Sequence, residues 1–136
     1  ANAFVFDATT AGFQNDVLQK SLEVPVLVDF WATWCAPCVN AMPELSALHK
    51  KHAAKGFAVV GISIDEEKDR ARNFVAKKNP GYPVYLDAAK TPAWSAFHVR
   101  AVPAAFLIDG QGRVVKQWLG KVDLKEVERE VAKIVG

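Results

Sequence analysis

The chain has 136 residues and a net charge of +2, and 51% of its residues are hydrophobic while 24% are charged. This composition is typical of a single soluble globular domain spanning residues 1–136, and it gives no support for binding nucleic acid or an anionic membrane. No apolar run approaches the roughly 20 residues of a membrane-spanning helix. No signal peptide is present, although a tether removed from a longer chain would leave no trace.

Strands and helices alternate along most of the chain. Short apolar runs predict the strands, and apolar residues repeating every three to four positions behind a capping residue predict the helices. The first half of the chain contains a predicted strand at 4–6, a helix from Thr9 or Thr10 to Ser21, a strand at 26–31, a helix at 36–55 ended by Gly56 and a strand at 57–64. The middle contains a helix at 65–79 with Asp65 as its cap, a strand at 82–86 and a short helix started by Thr91 and Pro92. The last part contains a strand at 101–108, a hairpin turn at 109–112, a return strand at 114–119 and a last helix capped by Asp123. Such an order indicates an α/β fold with a mixed sheet and helices on both faces.

Cys35 and Cys38 are the only cysteines in the chain, and two residues separate them, which is the spacing of a redox dithiol. Cys35 lies just before the predicted helix, and Cys38 lies in its first turn, where Pro37 is tolerated. Because the free N–H groups and the dipole of a helix start stabilise an anion, Cys35 is expected to react as a thiolate. Cys38 is near enough to resolve the mixed disulfide that Cys35 forms with a substrate.

Three other interpretations of the cysteine pair remain. A structural disulfide across so short a loop would stabilise the fold by only about 2 kcal/mol. A zinc site needs four ligands, and His49, His52 and His98 do not have the spacing of a zinc finger, so we expect neither a metal nor a cofactor. His49 and His52 are expected to be solvated. The cysteines could also be two unrelated core residues, but they have the strand and helix context of a redox motif.

Asp29 lies within the apolar strand at 26–31. An ionised and unpaired carboxylate is costly to bury there, so its pKa is expected to rise. The alternative is an aspartate at a strand end that reaches water. Phe30 and Trp31 extend the strand past Asp29, which favours a buried functional acid.

The sequence resembles the thioredoxin superfamily over residues 14–130. The motifs that carry the resemblance are Phe-Trp-Ala-Thr-Trp-Cys-Ala-Pro-Cys at 30–38, Met-Pro at 42–43, Val-Gly-Ile-Ser-Ile-Asp at 60–65 and Val-Pro-Ala-Ala-Phe-Leu-Ile-Asp at 102–109. The resemblance implies the thioredoxin fold. The segment at 66–90 is similar to the inserted helix and strand of the TlpA/ResA-like thiol–disulfide oxidoreductases, a branch that includes the cytochrome c maturation thioredoxins.

The resemblance also implies roles for individual residues. Val102-Pro103 matches the family's cis-proline position beside the dithiol, where the Val102 backbone pairs with an extended substrate. The pattern alone fits an ordinary trans proline at a strand start equally well. Asp29 matches the acid under the resolving cysteine, which suggests that it takes the proton from Cys38.

The four tryptophans are expected to differ in role. Trp34 is expected to flank the substrate groove together with Pro37, and Trp31 to pack beneath it. Trp94 and Trp118 are interpreted as packing residues.

These observations predict a monomeric thiol–disulfide oxidoreductase that exchanges disulfides with protein substrates and a redox partner protein, more as a reductant than as an oxidant. By resemblance alone, it is expected outside the cytoplasm, in the periplasm or tethered to a membrane. Many TlpA/ResA-like proteins carry a glutamate three residues after the second cysteine, whereas this chain has Ala41. The difference weakens the case for a role in cytochrome c maturation.

Two other classes of function stay open. One is a peroxidase of the related peroxiredoxin type, whose motif is Pro-x-x-x-Thr-x-x-Cys; here Thr33 lies two residues before Cys35 and the proline is absent. The other is a non-catalytic domain of thioredoxin fold that binds partners through its groove without turnover.

Overall fold

The computed structural model describes residues 24–87 and 93–135, together with the backbone of residues 5–8. Within these residues, six strands form one sheet with the order β1-β4-β3-β2-β5-β6. The strands are β1 (Val5–Ala8), β2 (Val26–Trp31), β3 (Ala58–Ser63), β4 (Val84–Asp87), β5 (Ala104–Ile108) and β6 (Val114–Leu119), and the helices are α1 (Ala36–His52), α2 (Lys68–Lys78), α3 (Ala93–Ala96) and α4 (Leu124–Val135).

The sheet is mixed, as the sequence predicts. Strands β1, β4, β3 and β2 run parallel to one another, while β5 is antiparallel to both β2 and β6. The predicted insertion at 66–90 contains α2 and β4, and β4 lies between β1 and β3. The helix predicted from Thr9 or Thr10 to Ser21 and the start of a helix at Thr91 and Pro92 lie outside the described residues.

Strand β2 is central, and all six of its residues are buried. Its side chains alternate between two apolar clusters on opposite faces of the sheet. Leu27 and Trp31 pack with residues of α1 and α4 on one face. Val28 and Phe30 pack with α3 and the segment after it on the other. A strand between two packed layers explains why its sequence is almost continuously apolar.

Helix α1 starts at the dithiol and extends away from it. Its apolar spacing is helical, with Met42, Leu45 and Leu48 buried. A short 3-10 helix continues it over Ala53–Lys55, and Gly56 then takes a left-handed conformation with φ of 86°, which explains why glycine ends the segment.

The two histidines of α1 are not solvated, so that prediction was wrong. His52 is buried against Phe57, and His49 is half-buried. The His49 Nδ1 atom accepts a hydrogen bond from the Val59 backbone N–H at 3.0 Å. Both side chains face the protein interior because α1 packs against β3.

The helix after β3 starts later than predicted. Glu67 occupies the position before α2, and Asp65 makes other contacts, so the prediction of Asp65 as its cap was wrong. The C-terminal part of the chain matches the sequence pattern better. The Asp123 side chain caps α4 by accepting hydrogen bonds from the N–H groups of Lys125 and Glu126. No helix among the described residues is long and apolar enough to cross a membrane.

Candidate redox site

Cys35 and Cys38 form a disulfide at the N-terminus of α1, with their Cα atoms 5.3 Å apart. Cys35 is the residue that caps the helix, and its Sγ atom accepts a hydrogen bond from the Cys38 N–H at 3.3 Å. The first turn of α1 contains no acidic residue. A thiolate at Sγ of Cys35 would therefore face the positive end of the helix dipole with no opposing charge from that turn.

The two cysteines differ in their exposure to solvent. Cys35 keeps 5% of its surface exposed, whereas Cys38 keeps 1%. Trp34 and Pro37, beside them in the sequence, are exposed. Of the two cysteines, Cys35 is therefore the more accessible from solvent.

A buried carboxylate holds the turn that carries the dithiol. Asp65 accepts hydrogen bonds from the Thr33 backbone N–H at 3.0 Å and from the Thr33 hydroxyl at 2.6 Å. The Ser63 hydroxyl also donates to Asp65, at 2.7 Å. The carboxyl ends of β2 and β3 meet at this edge, because Trp31 is the register partner of Ser63.

Sequence reasoning missed this role of Asp65, although a signal for it exists. Asp65 lies two positions after β3 and Thr33 two positions after β2, and the two strands are parallel neighbours in the sheet. These hydrogen bonds connect the segment between β2 and α1, which carries Trp34 and Cys35, to the end of β3.

The peptide bond between Val102 and Pro103 is cis. Both residues are half-buried just before β5, and Val102 packs against the apolar cluster that contains Cys35 and Cys38. The Pro103 carbonyl accepts a hydrogen bond from Gly120 at 3.0 Å. The structure thus brings the predicted Val102–Pro103 segment and the dithiol to the same region.

Asp29 is 3% exposed, and its Oδ2 atom has no hydrogen-bond partner. It lies in the middle of β2, with Gly61 and Ala105 as its partners on the two neighbouring strands. Burial raises the pKa of this carboxyl to about 8. Strand alternation places it on the face of the sheet that α1 covers, the face on which Cys38 is buried. The buried position excludes the alternative of a strand-end aspartate that reaches water.

A groove of about 590 Å³ opens beside the dithiol. Trp34, which is 63% exposed, and Trp94, which is 42% exposed, both contribute to it. The complete lining is Trp34, Ile64, Asp65, Glu66, Glu67, Arg70, Trp94, Val99, Arg100 and Ala101. The sequence predicts Trp94 only as a packing residue; its place in the groove depends on the fold of a segment 60 positions from Trp34, and local sequence gives no signal for it.

The other aromatic predictions have clear outcomes. Trp31 is completely buried beneath the site, as expected. Trp118 is a packing residue, also as expected, and its indole N–H donates to Glu126 at 2.7 Å.

The fold and the dithiol define a protein of the thioredoxin superfamily, of the TlpA/ResA-like branch. A model of the AhpC/TSA family matches residues 2–117, and the chain belongs to that family. Among its relatives is the thiol-disulfide oxidoreductase ResA of Bacillus cereus, which is 33% identical over 109 residues, or 80% of this chain and 62% of ResA. The chain thus spans less than two thirds of the length of that relative.

Solved structures give the same result. A Chlorobium tepidum protein, assigned by its name as the thiol:disulfide interchange protein DsbE, superposes with a TM-score of 0.81 at 30% identity, covering 88% of this chain and 85% of its own. A second thiol:disulfide interchange protein of Chlorobium tepidum superposes with a TM-score of 0.74 at 27% identity, covering 87% and 83% of the two chains.

Proposed function

We propose that this protein is a thiol–disulfide oxidoreductase that acts on protein substrates, and that its net direction is reduction. The observation that carries the proposal is the Cys35–Cys38 disulfide at the start of α1, with Cys35 the more exposed of the two residues. The names of the relatives and structural neighbours agree with this chemistry.

The proposed reaction starts from the reduced dithiol. The Cys35 thiolate attacks one sulfur of a client disulfide, forming a mixed disulfide and releasing the other client sulfur as a thiolate. Asp29, in its ionised form, then takes the proton of Cys38, and the Cys38 thiolate attacks the Cys35 sulfur. The second client thiolate leaves, and the Cys35–Cys38 disulfide remains. Two electrons pass from the dithiol to the client, so a partner protein must return two electrons before the next cycle.

Trp34, Pro37, Val102 and Pro103 are the proposed client contacts. Trp34 is exposed beside Cys35, and the groove it borders continues to Ala101, which precedes the cis peptide. An extended client can lie along Val102 and hydrogen-bond to its backbone, as a strand added to a sheet edge does. Aromatic walls favour a client segment with an apolar side chain near its disulfide.

Three wider proposals rest on the branch to which the chain belongs. The protein works outside the cytoplasm, as a monomer, and receives its electrons from a membrane or soluble thiol–disulfide partner. A role in cytochrome c maturation has less support, because Ala41 stands where many members of the branch have a glutamate.

The test is to trap the mixed disulfide. Reduced Cys38→Ser is mixed with a protein disulfide such as insulin, and the products are separated without reductant. A covalent adduct through Cys35 is expected, whereas the matched variant Cys35→Ser should form none. If neither variant forms an adduct and wild type does not reduce insulin, the proposal is wrong. Consumption of peroxide by the reduced protein without added partner would favour the peroxidase alternative. Cellular activity retained by the double serine variant would instead favour a binding domain.

A further inference from the structure

The carboxyl ends of three adjacent parallel strands lie at one edge of the sheet, next to the groove beside the dithiol. Trp31 at the end of β2 is the register partner of Ser63 on β3, and Ser63 is the partner of Leu86 on β4. The segment after β2 carries Trp34, and the last residue of β4 is Asp87. Open α/β sheets bind ligands outside the carboxyl ends of their parallel strands, so this edge is where a client is expected.

Asp87 caps the short helix α3. Its carboxylate accepts hydrogen bonds from the backbone N–H groups of Ala93, at 2.6 Å, and of Trp94, at 3.2 Å. At the other end of the helix, the Trp94 carbonyl accepts a hydrogen bond from the Val99 N–H at 2.8 Å, and His98 takes a left-handed conformation with φ of 58°. Both backbone polar groups of Trp94 are therefore engaged. Because a single helical turn is not stable by itself, these hydrogen bonds and the packing of α3 hold it in place.

The segment that starts with α3 divides its side chains between the interior and the groove. Ala93 and Val99 are buried in the apolar cluster on one face of the sheet, and the centre of the Phe97 ring lies 4.9 Å from that of Phe106. Trp94, in contrast, stays 42% exposed and lines the groove. An exposed aromatic residue on a backbone that is already ordered loses less freedom when it binds a partner, which favours affinity.

The charged residues of the groove do not select a client by the sign of its charge. Two carboxylates and two guanidinium groups line it, from Glu66, Glu67, Arg70 and Arg100, and Arg70 lies 3.7 Å from Glu67. Asp65 also lines the groove, but its carboxylate is engaged inside the protein. With the exposed charges balanced, the two tryptophans are the features of the groove that can discriminate between clients.

We propose that Asp87 is a positioning residue for client binding, which presents Trp94 as the second aromatic wall of the groove, together with Trp34. The client segment that this groove selects carries an aromatic side chain next to its disulfide, because aromatic pairs attract one another beyond the area that they bury. Asp87 acts through Trp94 and takes no part in the exchange of electrons. The inference rests on the proposed function and adds the class of client to it.

The experiment compares two synthetic peptides that each contain one internal disulfide. They differ only in the residue after the first cysteine, which is phenylalanine in one and serine in the other. The protein is reduced beforehand and reacts with each peptide in a single turnover, and the second-order rate constant is divided by that of the same peptide with dithiothreitol. The readout is the ratio between the two peptides, from which the amount of folded protein cancels. Wild type is expected to prefer the phenylalanine peptide about tenfold.

Four variants locate the origin of this preference. Trp94→Ala should lower the ratio to about threefold, because only Trp34 then remains. Asp87→Ala should lower it equally, and the double variant should give the same ratio as Trp94→Ala, since Asp87 acts through that residue. Asp87→Asn keeps one acceptor oxygen and should give an intermediate ratio of about fivefold. Asp123→Ala is the matched control and should keep the tenfold ratio, because Asp123 also accepts hydrogen bonds from two N–H groups at a helix start.

A ratio in Asp87→Ala equal to that of wild type would overturn the inference, and so would a double variant with a ratio well below that of Trp94→Ala. If Asp87→Ala does not fold, Asp87→Asn decides in its place, and a ratio equal to that of wild type would again contradict the inference. Equal rates of wild type with the two peptides would overturn the inference and leave the proposed function standing. Reduction of neither peptide and no reduction of insulin by wild type would overturn the proposed function, and the inference with it.

Discussion

Replacing Asp29 by asparagine should make the oxidised protein more stable at neutral pH, even though it removes the proposed base. In the folded protein the carboxyl keeps its proton up to a pKa of about 8, whereas the ordinary value is 3.8. The folded state therefore binds more protons than the unfolded chain between these values. The contribution of Asp29 to the free energy of unfolding is therefore greatest below pH 3.8, and it falls as the pH rises to about 8.

The expected magnitude follows from the same two values. One unit of pKa corresponds to about 1.4 kcal/mol, so at pH 7 the buried carboxyl lowers the free energy of unfolding by about 4 kcal/mol. The asparagine of the variant cannot ionise and carries no such penalty, although its amide also needs partners. The difference in free energy of unfolding between Asp29→Asn and wild type should grow by about 1.4 kcal/mol per pH unit from about pH 4 to about pH 8.

Urea unfolding of both oxidised proteins at several pH values measures this difference. The titration of every other group is common to the two proteins and cancels. The resolving step should be slower in the variant, while the first attack by Cys35 keeps its rate. Two stability curves that run parallel over the whole pH range would refute the account of a buried, protonated Asp29.

Three further predictions concern other parts of the molecule. Burial, together with Lys51 and Lys55, lowers the pKa of His52 from 6.5, so the folded state binds fewer protons than the unfolded chain as the pH falls below about 6.5. His52→Leu should therefore gain stability relative to wild type between about pH 7 and about pH 5 in urea unfolding, and a constant difference would contradict this. Asp65→Asn should lower the free energy of unfolding by about 2 kcal/mol, because the Thr33 donors lose a charged acceptor. The exposed control Asp69→Asn should change the free energy of unfolding by less than about 0.5 kcal/mol. Equal losses in the two variants would be evidence that the hydrogen bonds from Thr33 to Asp65 do not stabilise the fold. Trp34→Ala and Trp94→Ala should each raise KM for insulin by up to about tenfold while leaving the rate with a small disulfide unchanged. Loss of both activities to the same extent would show that the tryptophans act on folding and not on client binding.

The sequence predicted the central elements because their signals are local. The apolar run of β2 and the helical spacing of Met42 and Leu45 in α1 each fit one structure only. The redox spacing of the cysteines and the burial of Asp29 could also be predicted, because both depend on neighbouring residues in the sequence. The raised pKa of Asp29 followed from its place in an apolar strand.

The features that the sequence did not predict depend on contacts between distant segments. The local pattern favours Asp65 as a helix cap, and it gives no sign of the partner Thr33, which is 32 positions away. It favours a solvated His52 because helical position alone does not show that Phe57 returns to cover the ring. Tyr82 lies in the predicted strand at 82–86, and only the fold of the chain shows that its ring packs next to Gly61, 21 positions earlier.

The most direct test of the proposed chemistry is differential alkylation of the reduced dithiol. The reduced wild-type protein is treated with iodoacetamide at neutral pH for increasing times, and mass spectrometry of the digested protein locates the label. Cys35 should be labelled faster than a cysteine in an unstructured peptide, and Cys38 should stay almost unlabelled. Equal labelling of the two sulfurs, or labelling of Cys35 more slowly than the peptide, would contradict the assignment of Cys35 as the attacking thiolate.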